Sequence, residues 1–154
     1  MQPAVSNPTR RIYQVIAVLA LAGTIISSVA LQHHYRKDKT TFCDFGENFN
    51  CDIVNRSAYS QVVGIPVALI GIVGYLSLLA LATFYREKAE TPGMLLIAAT
   101  LGLGFAIYLT YIEAYVLATW CILCLSSLAL ITLITVLSSV LFAQSLRRTY
   151  KESC

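Results

Sequence analysis

Four long apolar runs leave this chain little choice but a bundle of membrane-crossing helices. They lie at about Ile12–Leu31, Val62–Tyr85, Met94–Tyr111 and Thr119–Phe142. A bilayer core needs roughly 20 apolar residues in helix. Each run is apolar on all sides, as in a spanning helix, and not striped like a half-exposed one. The expected fold class is an all-α integral membrane protein, a four-transmembrane-helix bundle. Composition agrees: 57% of the 154 residues are hydrophobic and 12% charged, against about 25% charged in a soluble domain. The length suits one domain, 1–154. The net charge of +3 is modest, and Lys and Arg sit at the ends of the runs. They read as topology signals, and the lack of a basic stripe with interleaved aromatics argues against a nucleic-acid partner.

Counting those cations sets an orientation. With both termini inside, the inner side holds Arg10, Arg11, Arg86, Lys88, Arg147, Arg148 and Lys151. The outer side holds Arg36, Lys37, Lys39 and Arg56. The bias places the termini in the cytoplasm. Arg10, Arg11 and the "SVA" of Ser28–Ala30 also resemble a signal peptide, but the run exceeds the usual h-region of about 7–15 residues. Either way the segment after it lies outside. This outer loop, about 33–61, carries Phe42, Phe45, Phe49, Ile53, Val54 and Tyr59, too much apolar surface for a free tail. Gly46 offers a turn, and a short helix from Cys51 to about Ser60 is expected to cap the bundle. The second outer loop, about Ile112–Ala118, is short enough to make a tight hairpin of the third and fourth spans.

Topology puts two cysteine pairs on one side. Cys43 and Cys51 belong to the outer loop, and Cys121 and Cys124 begin the fourth span at its outer end. The outer side is where disulfides form and persist. Cys154 falls inside, as a free thiol without a role. A C-x-x-C pair at a helix start shares one face, and the helix N-terminus favours thiolate, the nucleophile of disulfide exchange. Cys124 lies about 4.5 Å deeper than Cys121 at the helical rise. These positions suggest a relay. An external dithiol reduces Cys43–Cys51, the loop thiol attacks Cys121–Cys124, and Cys124 hands electrons to a lipid-soluble acceptor.

Three plainer readings compete: two structural disulfides, a zinc site, or cysteines as small apolar filler. A bridge within one helical turn holds little together. Seven residues between Cys43 and Cys51 exceed the two to four of zinc-binding pairs. Two pairs on one side argue against filler. Among other residues, His33 and His34 read as headgroup-level or solvated, and Glu113 as exposed at the interface, with an influence on nearby thiolate formation as the less favoured reading. Tyr111, Tyr115 and Trp120 suit an interfacial aromatic belt. Gly71, Gly74, Gly102 and Gly104 suit close helix packing.

Beyond these patterns, the chain resembles the vitamin K epoxide reductase family of membrane thiol oxidoreductases. The matching residues are "CDFGENFNC", Ser57 six residues after Cys51, "GIPVALIGIVGY" opening the second span and "WCILC" opening the fourth. The resemblance implies a four-helix bundle around a quinone, with the loop and its short helix over the pocket. It implies that Cys43 faces the partner dithiol, Cys51 exchanges with Cys121, and Cys124 stands next to the quinone. Ser57, Val67, Tyr75 and Leu128 are the implied pocket residues. Vertebrate members carry Asn where Val67 stands and Tyr where Leu128 stands, so plain quinone reduction is favoured over epoxide reduction. A related four-helix family places a cysteine pair in its second outer loop, which here has none. The implied partner is a separate thioredoxin-like protein, since no fused one is present in the chain. The implied location is a bacterial inner membrane with the cysteines facing the periplasm, or the endoplasmic reticulum membrane in a eukaryote. No metal is expected.

Overall fold

The computed structural model describes residues 7–35 and 49–152. Helix α1 spans Asn7–Tyr35, extending the first apolar run at both ends. A six-residue helix α2, Cys51–Arg56, comes next, then a single 3-10 turn at Ala58–Ser60. Strands β1 (Gln61–Val62) and β2 (Ile65–Pro66) pair antiparallel, Gln61 opposite Pro66 and Val62 opposite Ile65. Helix α3 is Val67–Thr83, α4 is Thr91–Ile112 and α5 is Ile122–Glu152.

The second apolar run therefore becomes two structures. Its first residues form a hairpin and the helix starts only at Val67. Val63 and Gly64 both take positive φ, 54° and 81°, as a two-residue primed turn requires. Pro66 lacks an N–H and serves as the residue before the helix. Pro92 lies in the first turn of α4, where a missing N–H costs nothing. After Ile112 the chain does not leave the helix. Glu113–Leu117 continue as a wider π turn that ends at Ala118, in the left-handed region at φ 48°. The Thr119 N–H closes it onto the Glu113 carbonyl at 3.2 Å. The connection expected over Ile112–Ala118 is thus mostly helical.

Among the described residues, three helices are long and apolar enough to cross a membrane: Pro8–Tyr35, Thr91–Leu117 and Ile122–Lys151. Helix α3 is apolar but shorter. Helix α1 packs on α3 and α5, and α4 on α5 and α3. The core between them is Ile16, Ala20, Tyr75, Leu78, Leu95, Ala99 and Ile134. The outward faces are apolar too; Val18 is 66% and Leu101 71% exposed. Water would penalise so much apolar surface, whereas lipid does not. Of the glycines read as packing sites, Gly71 meets Ser27 and Gly102 meets Ile131, while Gly74 and Gly104 face open space. At the end of the bundle away from the loop, the Arg148 guanidinium donates to Thr9 Oγ1 at 3.0 Å and ties α5 to α1.

Candidate functional site

Helix α2 is fixed at one end of the bundle from two directions. The Asn50 side-chain oxygen caps it, accepting from Asp52 N at 3.0 Å and Ile53 N at 3.2 Å. The Asn50 N–H donates to the Trp120 carbonyl at 3.2 Å, and Phe49 and Trp120 pair as a single bridge. From the other side, the last turn of α1 reaches across. His33 Nδ1 lies 3.5 Å from Asp52 Oδ1, and His34 Nδ1 meets the Asn55 carbonyl. The solvated position expected for them does not hold for His33, while His34 is half-buried. His33 is 7% exposed, and both join α1 to α2.

This bracing sets Cys51 against the start of α5. Cys51, Val54 and Cys121 form one buried cluster, with Leu117, Leu123 and Cys124 packed on it. Cys51 is in a disulfide, and Cys43 lies outside the described residues. Cys121 and Cys124 are free thiols. The Cys121 carbonyl accepts the first helical bond of α5, from Leu125 N at 3.0 Å, so Cys121 is the N-cap residue and Cys124 lies three positions on. An N-cap side chain receives the otherwise unmet N–H groups of the first turn. The Cys124 thiol and the N–H groups of Cys124 and Leu123 hold the Cys121 thiol below the ordinary range, against burial and the Glu113 charge.

Glu113 is buried, 1% exposed, in contrast to the interfacial exposure expected for it. The π turn rotates it inward. Its Oε2 accepts the Cys121 N–H at 3.0 Å, supplying a cap to α5 from the preceding helix. A carboxylate oxygen and the sulfurs of Cys121 and Cys124 lie within 4.8 Å of one another. Three donors fall one short of the usual closed zinc site. The available signal was a lone carboxylate at the end of an apolar run, since charge inside a membrane is costly and tends to be functional.

A cavity of about 480 Å³ opens beside this cluster. Its lining is largely apolar and drawn from α1, α3, α4 and α5, with Val54, Asn55, Ser57 and Tyr59 at the loop end. Cys124 and Glu113 are in its wall; Cys121 is not. A model of the vitamin K epoxide reductase family matches residues 14–139. The chain belongs to the vitamin K epoxide reductase family. Members of the vitamin K epoxide reductase family are membrane oxidoreductases whose chemistry is quinone-associated. The chain is accordingly a membrane redox enzyme in kind.

The residues present fit such a group. The cavity volume falls in the range of small-molecule sites, about 300–1,000 Å³, where apolar walls carry a few polar groups. Val67 and Tyr75 are in the wall, as is Ser57, whose hydroxyl donates to the Val54 carbonyl at 2.8 Å. The Tyr75 hydroxyl is 2.9 Å from the Ser127 carbonyl and 2.8 Å from its Oγ. Leu128 is not among the lining residues; α5 contributes Leu123, Cys124, Ser127 and Ile131. One helical position separates Leu128 from Ser127, and that rotation of about 100° turns the side chain off the cavity.

Proposed function

We propose that this protein is a thiol:quinone oxidoreductase. It oxidises the dithiol of a separate thioredoxin-like protein, relays electrons through two cysteine pairs and reduces a membrane quinone, so supporting disulfide formation. One observation carries the reading. Cys124 is in the wall of an apolar cavity, while Cys121, three residues before it, is buried beside Cys51. On this reading α3 is a fourth span, since its 17 residues reach the lower limit of about 17 for a crossing. Helix α2 caps the cavity, and the cysteines face the oxidising side.

The relay balances in three exchanges. The donor dithiol becomes a disulfide as Cys43–Cys51 opens to two thiols. The Cys51 thiolate attacks Cys121 of the Cys121–Cys124 disulfide and releases Cys124. Cys43 then attacks Cys51, restoring the loop disulfide and leaving Cys121 and Cys124 as thiols. Oxidising that pair frees two electrons and two protons, which a bound quinone takes up. Quinones accept electrons from protein dithiols because electrons run to the higher potential. Cys51 in a disulfide with Cys121 and Cys124 free is the state reached just before the electrons leave. Val67 offers the cavity no polar group, in keeping with plain quinone reduction.

The test is quinone reduction by purified protein with a dithiol donor, repeated with Cys124→Ala. The variant should lose the activity. An unchanged rate would mean that Cys124 is not the quinone-facing thiol.

A further inference from the structure

We infer that Glu113 is the proton acceptor for the α5 thiols, taking the Cys124 proton on its unpartnered oxygen and passing it into the cavity. The inference rests on the thiol:quinone reading and adds to it the group that moves the protons.

The two carboxylate oxygens of Glu113 are used differently. Oε2 is engaged by the Cys121 N–H at 3.0 Å. Oε1 is buried and has no hydrogen-bond partner among the described residues. An unpaired buried carboxylate oxygen is expensive, and such groups persist where chemistry uses them. The groups nearest to hand are the two thiols, within 4.8 Å. Glu113 also lines the cavity, where among the described residues it is the single carboxylate and no Lys or Arg joins it. It therefore stands beside the sulfurs that lose protons and, like Cys124, borders the space proposed for the acceptor.

The chemistry needs such a group. A thiol is a poor electron donor until it becomes a thiolate, and Glu113 is the carboxylate placed beside the two sulfurs to take the proton. As Cys124 gives its proton to Oε1, its sulfur carries the negative charge. The Cys121–Cys124 bond forms, two electrons pass to the quinone, and the Cys121 proton leaves by the same carboxylate. Two protons reach the reduced acceptor, and Glu113 ends as it began.

A purely structural role would also involve Glu113, because Oε2 caps α5. Glu113→Gln separates the roles: the amide oxygen can still accept the Cys121 N–H, but it cannot take up a proton. The readout is alkylation of Cys124 in quinone-free reduced protein, with peptide mass spectrometry, from about pH 6 to about pH 9. Where a thiol and a carboxylate share one proton, the thiolate fraction does not change with pH. The native profile should be flat over much of that range. In the Gln variant the rate should rise about tenfold per pH unit, as for an isolated thiol. Among the described residues, the other titratable groups facing the cavity, His34 from α1, Tyr59 from the loop and Tyr75 from α3, are the same in both proteins and cancel in the comparison. Quinone reduction by the variant should fall by about 10²–10⁴-fold in kcat, the usual contribution of a general base, with KM unchanged.

Parallel profiles would overturn the inference. If the variant fails to fold, the native protein still decides: a tenfold rise per pH unit there excludes a shared proton. Loss of this inference leaves the relay standing, since Cys124→Ala tests that independently.

Discussion

Gly23→Ala should collapse the wall of the cavity through Tyr75. A Cβ on Gly23 would overlap the Tyr75 ring, coming within 2.5 Å of Cδ1 and Cζ. Contact between carbons is comfortable at about 3.5–4.0 Å, so the ring must move by about 1 Å. It cannot do so and keep its place. Its hydroxyl bonds both the carbonyl and the Oγ of Ser127, at 2.9 and 2.8 Å, and the residue is 6% exposed. Losing those bonds costs about 1 kcal/mol each, and overpacking adds about 1–3, so the variant should lose about 3–5 kcal/mol. The assay is equilibrium unfolding in mixed detergent micelles, monitored by circular dichroism. A double-mutant cycle isolates the cause. In a Tyr75→Ala background, Gly23→Ala should be neutral or stabilising by up to about 1 kcal/mol, the helix preference of Ala over Gly. An equal loss in both backgrounds would refute the argument that Gly23 exists to admit the Tyr75 ring.

Two further outcomes are expected. Cys51→Ser mixed with the oxidised donor should accumulate a mixed disulfide, visible on a non-reducing gel: the Cys43 thiol attacks the donor disulfide, one donor thiol is released, and no Cys51 remains to displace the donor from Cys43; a donor linked only to Cys121 would reverse the assigned order. Val63→Asn should raise stability by about 1 kcal/mol in the same unfolding assay, because an L-residue held left-handed costs roughly 1–2 kcal/mol and Asn-Gly suits a primed turn; a loss would mean that the Val63 side chain has a use in the membrane or with a partner.

Apolar runs foretold where helix would be found, because a segment apolar on every side has few other ways to satisfy its backbone. They did not foretell the hairpin at Gln61–Pro66. Val62, Val63 and Ile65 are as apolar as a helix needs, and a short apolar stretch reads alike as strand or helix. The inward turn of Glu113 was hidden for another reason. A π turn adds a residue to the helical repeat and shifts the facing of the residues around it, and nothing in "YIEAYVLATW" marks one. His33 and His34 looked solvated because the carbonyl and carboxylate they meet lie on α2, far along the chain. The juxtaposition of Cys51 with Cys121 depends on the Asn50–Trp120 bond, a backbone contact between segments that composition and periodicity do not connect.

That bond has a kinetic meaning. Helix α2 is held at Asn50 by the Trp120 carbonyl and at Asn55 by His34, which sets Cys51 beside Cys121. In the proposed relay the exchange between them is unimolecular. Even a loose tether presents its partner at about millimolar effective concentration, and an oriented one at far more. Small thiols dissolved outside would lose that competition for Cys121, and the traffic of electrons would stay on the path from loop to bundle whatever the redox buffer around it.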